Sequence, residues 1–126
     1  MKITILDDYQ HVIENLLCFD LLKGQDVEIL HETEKDPAKL ASLIAGTEIL
    51  VLTRERTEIT EALLSKLPKL KLISQTGKIS NHLNLDACSR YHVAVAEGIG
   101  SPIAPAELTW ALLMNTVRQI PQAIEA

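Results

Sequence analysis

Residues Leu70 to Lys78 constrain this chain more than any other stretch. The apolar run Leu70-Lys71-Leu72-Ile73 ends abruptly in Ser74-Gln75-Thr76-Gly77-Lys78. A short apolar run closed by small polar residues and a glycine is the pattern of a buried parallel strand that delivers its carboxyl end to a site. Open α/β sheets take ligands in the crevice outside such strand ends, where loops hold anions with backbone N–H groups. Gly77 lets the backbone approach closely. A plain turn between strand and helix would satisfy the same residues.

The rest of the chain repeats the alternation. Ile3, Ile5 and Leu6 read as a first strand, after which Asp7-Asp8 caps a helix carrying Val12, Ile13, Leu16, Leu17, Phe19, Leu21 and Leu22 and stopped by Gly24. Val27 to Leu30 is a second strand. Asp36-Pro37 opens a helix through Leu40, Leu43 and Ile44 to Gly46, a cap-then-proline start with a glycine end. Glu48 to Leu52 is the third strand and releases Thr53-Arg54-Glu55-Arg56. A short helix through Leu63, Leu64 and Leu67 stops at Pro68, ahead of the strand at Leu70. Asn84 caps a small helix ending near Tyr91, and His92 to Ala96 is the fifth strand. Strands and helices alternating at this length predict an α/β fold: a doubly wound, five-stranded parallel sheet in the flavodoxin-like order 2-1-3-4-5.

The last element differs. A helix is expected from near Pro105 through Glu107, Leu108, Trp110 and Met114 to Val117, with Pro121 ending it. From Leu108 to Met114 it is apolar almost all round, whereas a helix covering one sheet face needs only a single apolar stripe. It therefore calls for a second partner, another domain or another subunit, unless it is wholly buried in this domain.

Several functions are excluded at once. The net charge is −5 with Lys and Arg scattered through 126 residues, so there is no basic stripe for nucleic acid or an anionic membrane. No apolar run is long enough to span a bilayer. Met1-Lys2 leads directly into a strand, and Cys18 and Cys88 fall in helical patterns that suit reduced core thiols, so a cytoplasmic protein is expected. The histidines His11, His31, His82 and His92 lack the close pairing of a zinc site. Asp7-Asp8 stands where phosphoacceptor receiver domains hold magnesium. The third strand, however, delivers Thr53-Arg54 instead of an acceptor aspartate, and Glu97-Gly98 follows the fifth where a lysine belongs. A helix cap is the better reading.

Taken together, the segments Leu52-Thr53-Arg54, Leu72 to Gly77, Asn84-Leu85-Asp86-Ala87, Val93-Ala94-Val95, Pro105 to Thr109 and Arg118-Gln119-Ile120-Pro121 resemble the N-terminal part of the D-isomer-specific 2-hydroxyacid dehydrogenases, nearest to phosphoglycerate dehydrogenase-like members. The resemblance implies a two-domain NAD-dependent oxidoreductase that transfers hydride between the nicotinamide and a D-2-hydroxy acid, 3-phosphoglycerate among the candidates. In it, residues 1–100 would be the flavodoxin-like substrate-binding domain. Residues 101–126 would be the crossover and a helix packed on the cofactor domain. In the family, the dinucleotide fingerprint and the catalytic arginine, glutamate and histidine come later in sequence than the position matched by Ala126. Gly98-Ile99-Gly100 lacks the third glycine of a phosphate cradle. The chain alone is accordingly expected to be inactive, with homo-oligomers formed through the last helix.

The same resemblance places Arg54 near the substrate, where a guanidinium pairs a carboxylate in bidentate fashion; a surface ion pair with Glu55 or Glu58 is the competing role. It places Thr76, Gly77 and Lys78 in the loop whose backbone amides hold the substrate carboxylate, and Lys78 also along the nicotinamide. Two departures stand out. Ile79 to Asn84 replaces a second glycine and an Asp-Asn-x-Asp run, and Gln75 stands where some phosphoglycerate enzymes carry a basic residue. A different class of function, a non-catalytic binding or assembly module on the same sheet, fits the pattern of elements equally.

Overall fold

The computed structural model describes residues 1–126. Five strands, β1 (Lys2–Ile5), β2 (Asp26–Ile29), β3 (Ile49–Thr53), β4 (Leu72–Thr76) and β5 (Ala94–Glu97), form one all-parallel sheet in the order β2-β1-β3-β4-β5. The register pairs Thr53 with Thr76 and Gln75 with Glu97, so β3, β4 and β5 end level at one edge. That edge carries the candidate site.

Local chemistry explains the connecting helices. In α1 (Pro37–Leu43) the Asp36 carboxylate accepts from the Ala38 N–H and Pro37 occupies the first turn, where its missing donor costs nothing. Thr60 caps α2 (Glu61–Leu64) through the Leu63 N–H, and Asn84 caps α3 (Leu85–Arg90) through the Ala87 N–H. These helices deliver Leu40, Ile44, Leu63, Leu64 and Ala87 to a cluster with Leu50, Leu52 and Ile73, all nearly or fully shielded from solvent. Alternate residues of β3 and β4 supply that face, as strand geometry requires.

The first crossover departs from the expected helix. It consists of two 3₁₀ turns, Ile13–Asn15 and Leu17–Leu22, with no buried residue; Leu17 is 97% exposed and Leu21 84%. Most helical stability comes from packing an apolar face, and Val12, Ile13, Asn15, Phe19 and Asp20 contribute little intrinsic propensity. Without a surface to receive Leu17 and Leu21, the periodicity is not enough. Asp8 still caps the segment, accepting from the Val12 and Ile13 N–H groups. Asp7 instead turns inward and accepts from the hydroxyls of Thr33 and Thr57. Cys88 is buried, which pushes its thiol pKa up, whereas Cys18 lies exposed on this segment, contrary to the core role its spacing suggested.

After β5 the chain runs into α4 (Ile103–Arg118) and α5 (Ile120–Glu125). Pro121 does not end the long helix. Gln119 does, by adopting left-handed geometry with φ 51°, and Pro121 sits in the first turn of α5. No residue of α4 is buried, and Trp110 remains 63% exposed, so this chain does not itself cover the helix. No helix is long and apolar enough to cross a membrane.

Candidate functional site

An open cleft of about 1120 Å³ lies at the carboxyl ends of β3 and β4. Arg54, Arg56, Thr76, Gly77 and Lys78 form one wall, and Pro102, Pro105 and Leu108 at the start of α4 form the other. All four site residues expected from sequence therefore meet in one place. The topology accounts for this: neighbouring parallel strands in register release their loops at the same edge.

The floor is held by side chains of β4. Thr76 Oγ1 accepts from the Arg54 N–H at 3.0 Å and donates to the Leu52 carbonyl at 3.0 Å, tying the loop after β3 to the end of β4. Arg54 is in the left-handed region with φ 56°, a conformation that L-residues adopt at a cost. Gly77 also has positive φ, 84°, which glycine adopts freely. Ile79, which replaces a family glycine, is not forced there. No protein acceptor takes the N–H of Gly77 or of Lys78.

Arg54 makes no ion pair, so the contact with Glu55 or Glu58 considered from sequence does not form. Arg56, one of the charged residues that follow β3 but given no individual role in the sequence, lines the cleft as well. Its guanidinium donates to the Asp7 carbonyl and lies 4.5 Å from the centre of the Tyr9 ring. Neither guanidinium is neutralised by a carboxylate. Lys78 is different, since its Nζ pairs with Glu97 Oε1 at 2.8 Å. No histidine lines the cleft; His82 is turned away to Gln75, with Nε2 2.8 Å from Gln75 Oε1.

Glu97 secures the far side of the loop. Its carboxylate accepts from the Ile79 N–H at 3.0 Å and from Lys78, and these two bonds, the backbone one foremost, hold its pKa below the usual carboxylate value of 4.5. A carboxyl depressed on folding contributes order that is complete above its unfolded value and is lost as pH falls through the folded one. The Ile79 amide resonance is therefore expected to titrate below pH 4.5. In Glu97→Gln that titration should vanish; its persistence would contradict the assignment.

Gly98, weighed in the sequence only as part of a phosphate cradle, has a packing role in the structure. Its N–H donates to the carbonyls of Gln75 (3.1 Å) and Gly77 (2.9 Å), and a Cβ built on it would stand 2.9 Å from the Gly77 nitrogen. The backbone after β5 thus presses directly on the loop whose Gly77 and Lys78 N–H groups have no protein acceptor. A glycine immediately after a strand was the available signal.

Comparison with known proteins gives a consistent result. Residues 3–124 match the family model described as D-isomer specific 2-hydroxyacid dehydrogenase, catalytic domain. The crystal structure of phosphoglycerate oxidoreductase from Vibrio cholerae O395 is 54% identical, with a TM-score of 0.87 over 99% of this chain and 40% of that one. D-3-phosphoglycerate dehydrogenase of Bacillus subtilis is 32% identical over 74 residues, 58% of this chain and 14% of that protein. D-lactate dehydrogenase from Aquifex aeolicus, crystallised with NAD and lactic acid, shares the fold at 23% identity, with a TM-score of 0.72 over 98% of this chain and 37% of that one. The chain spans less than half the length of each of these relatives.

Proposed function

The chain belongs to the D-isomer-specific 2-hydroxyacid dehydrogenase family, and from that premise we propose that its cleft binds the carboxylate of a 2-hydroxy or 2-oxo acid during NAD-linked oxidoreduction. One observation carries the reading. Two arginines without carboxylate partners and two residues whose backbone N–H groups have no protein acceptor line one cleft. Fixed amides and a bidentate guanidinium are the donors a carboxylate needs, and they are in place before the acid arrives. Arg54 pairs the carboxylate, Gly77 and Lys78 donate from the backbone, and Arg56 supports the charge from the side of β1. Lys78 reaches toward the nicotinamide once it leaves Glu97.

NAD supplies hydride transfer when bound, and Gly98-Ile99-Gly100 lacks the third glycine of a dinucleotide fingerprint. The cofactor is assigned to a second domain, on which residues 101–126 pack through the exposed face of α4. Residues 1–100 orient the acid and stabilise its charge. They place no histidine in the cleft, where the carboxyl of Glu55 and the ammonium of Lys78 are the acid–base groups.

Two measurements test this. The chain alone is expected to show no NADH turnover with pyruvate, glyoxylate or 3-phosphohydroxypyruvate, and to gain it when joined to a dinucleotide-binding domain of the family. Turnover by the chain alone would contradict the division of labour. A joined protein that binds no 2-oxo acid would favour a non-catalytic binding or assembly module. Separately, the free chain should self-associate through Leu108 to Met114, and Trp110→Glu should weaken that association at least tenfold in sedimentation, since burying an aromatic of this size contributes about 1.5–3 kcal/mol. A monomer at high concentration, unaltered by Trp110→Glu, would count against it.

A further inference from the structure

We propose that Gln75 and His82 act as a positioning pair that locks the backbone of Arg54 and so aims its guanidinium into the cleft. The inference rests on the reading of Arg54 as an anion-binding group, but its test contains no ligand, so the two fail separately.

Gln75 is 3% exposed, on the same face of β4 as Ile73, where another apolar residue would simply extend the core. Burying a primary amide is costly unless each donor and acceptor is met. Here they are. Nε2 donates to the carbonyls of Arg54 and Thr76, both at 2.9 Å, and Oε1 faces His82 Nε2 at 2.8 Å. Two carbonyls cannot face an amide oxygen, so the orientation of Gln75 is determined, and His82 must carry its proton on Nε2 to donate. His82 Nδ1 is buried with no partner, as an unprotonated ring nitrogen can be and a buried N–H could not be without penalty.

The effect on Arg54 is specific. Its N–H is held by Thr76 Oγ1 and its C=O by Gln75 Nε2, so consecutive side chains of β4 grip both sides of one residue. That residue has φ 56°, and a strained conformation persists only where its surroundings over-determine it. Neither Gln75 nor His82 lines the cleft, so both act through Arg54.

The experiment is nuclear magnetic resonance on the isotopically labelled chain. Long-range proton–nitrogen spectra should show His82 as the Nε2–H tautomer, with the Gln75 side-chain amide protons protected from exchange. In His82→Phe, which keeps a ring but loses the donor, the Arg54 and Thr76 backbone resonances should leave their wild-type positions while Leu50 in the core stays in place. His82→Gln restores an N–H donor and should return Arg54 toward wild type. An Arg54 signal unmoved in folded His82→Phe, or a displacement that His82→Gln does not reverse, would overturn the proposal. Should His82→Phe not fold, the wild-type spectra decide. The Nδ1–H tautomer or a freely exchanging Gln75 amide would then overturn it.

Discussion

Gly98→Ala is expected to lower the affinity of the cleft for a small dicarboxylate such as oxalate by about tenfold to a hundredfold, although Gly98 offers no side chain to any ligand. The reason is steric. The new methyl group would meet the Gly77 nitrogen at 2.9 Å, with Gly77 Cα at 3.4 Å and its carbonyl oxygen at 3.5 Å. Those are backbone atoms, so no side chain can swing aside, and overpacking of this kind costs about 1–3 kcal/mol. Relief comes only by moving the Gly77 loop, which breaks the bonds from the Gly98 N–H and misaligns the amides of Gly77 and Lys78. The φ of Gly98 is not positive, so alanine meets no conformational penalty there. Gly46→Ala is the matching control: its φ of +79° makes alanine strained, yet nothing lies within 4 Å of the new methyl. It should lower the thermal midpoint and leave oxalate affinity unchanged. Calorimetric titration of the three proteins checks both statements, and a Gly98→Ala protein binding oxalate normally would remove Gly77 from the site.

Arg54→Gly is expected to separate function from stability. Losing a guanidinium that forms charge-assisted bonds to an anion costs about 1.5–3 kcal/mol, or roughly 10- to 150-fold in affinity. The fold should barely register the change. Arg54 makes no ion pair, and glycine accepts a φ of 56° without the roughly 1–2 kcal/mol borne by an L-residue, an advantage partly offset by about 0.5–1 kcal/mol of extra unfolded-state freedom. A denaturation midpoint equal to or above wild type, with oxalate binding strongly reduced, is the anticipated pair of results. Arg54→Lys should recover little, because an ammonium lacks the planar fork. If Arg54→Gly destabilised the chain by several kcal/mol, the residue would be structural instead.

What could be read from the sequence and what could not divide along the range of the interactions involved. The caps at Asp36 and Asn84, the strand ending at Thr76 and the sheet order follow from local chemistry and from alternation, and the structure has them in place. Arg54, Thr76, Gly77 and Lys78 could be brought to one cleft because strand ends in a parallel sheet share an edge. The first crossover failed because an apolar period of the right spacing says nothing about whether a surface exists to receive it. Gly98 against Gly77 and Gln75 against His82 and Arg54 are contacts between loops, with no periodic signal at either end. Arg56 was recognised only as part of a charged run, because its place is set by the Asp7 carbonyl and the Tyr9 ring, more than forty residues away in sequence.

The central claim is that the loop after β4 and Arg54 together hold a carboxylate. It is tested most directly by titrating oxalate into the labelled chain and following backbone amides and arginine side-chain resonances. The account predicts saturable shifts at the Gly77 and Lys78 amides and at the Arg54 guanidinium, lost together in Arg54→Gly. Saturable shifts confined to other basic residues, such as Lys2 and Lys71 at the opposite ends of the strands, with none at Gly77, Lys78 and Arg54, would contradict it.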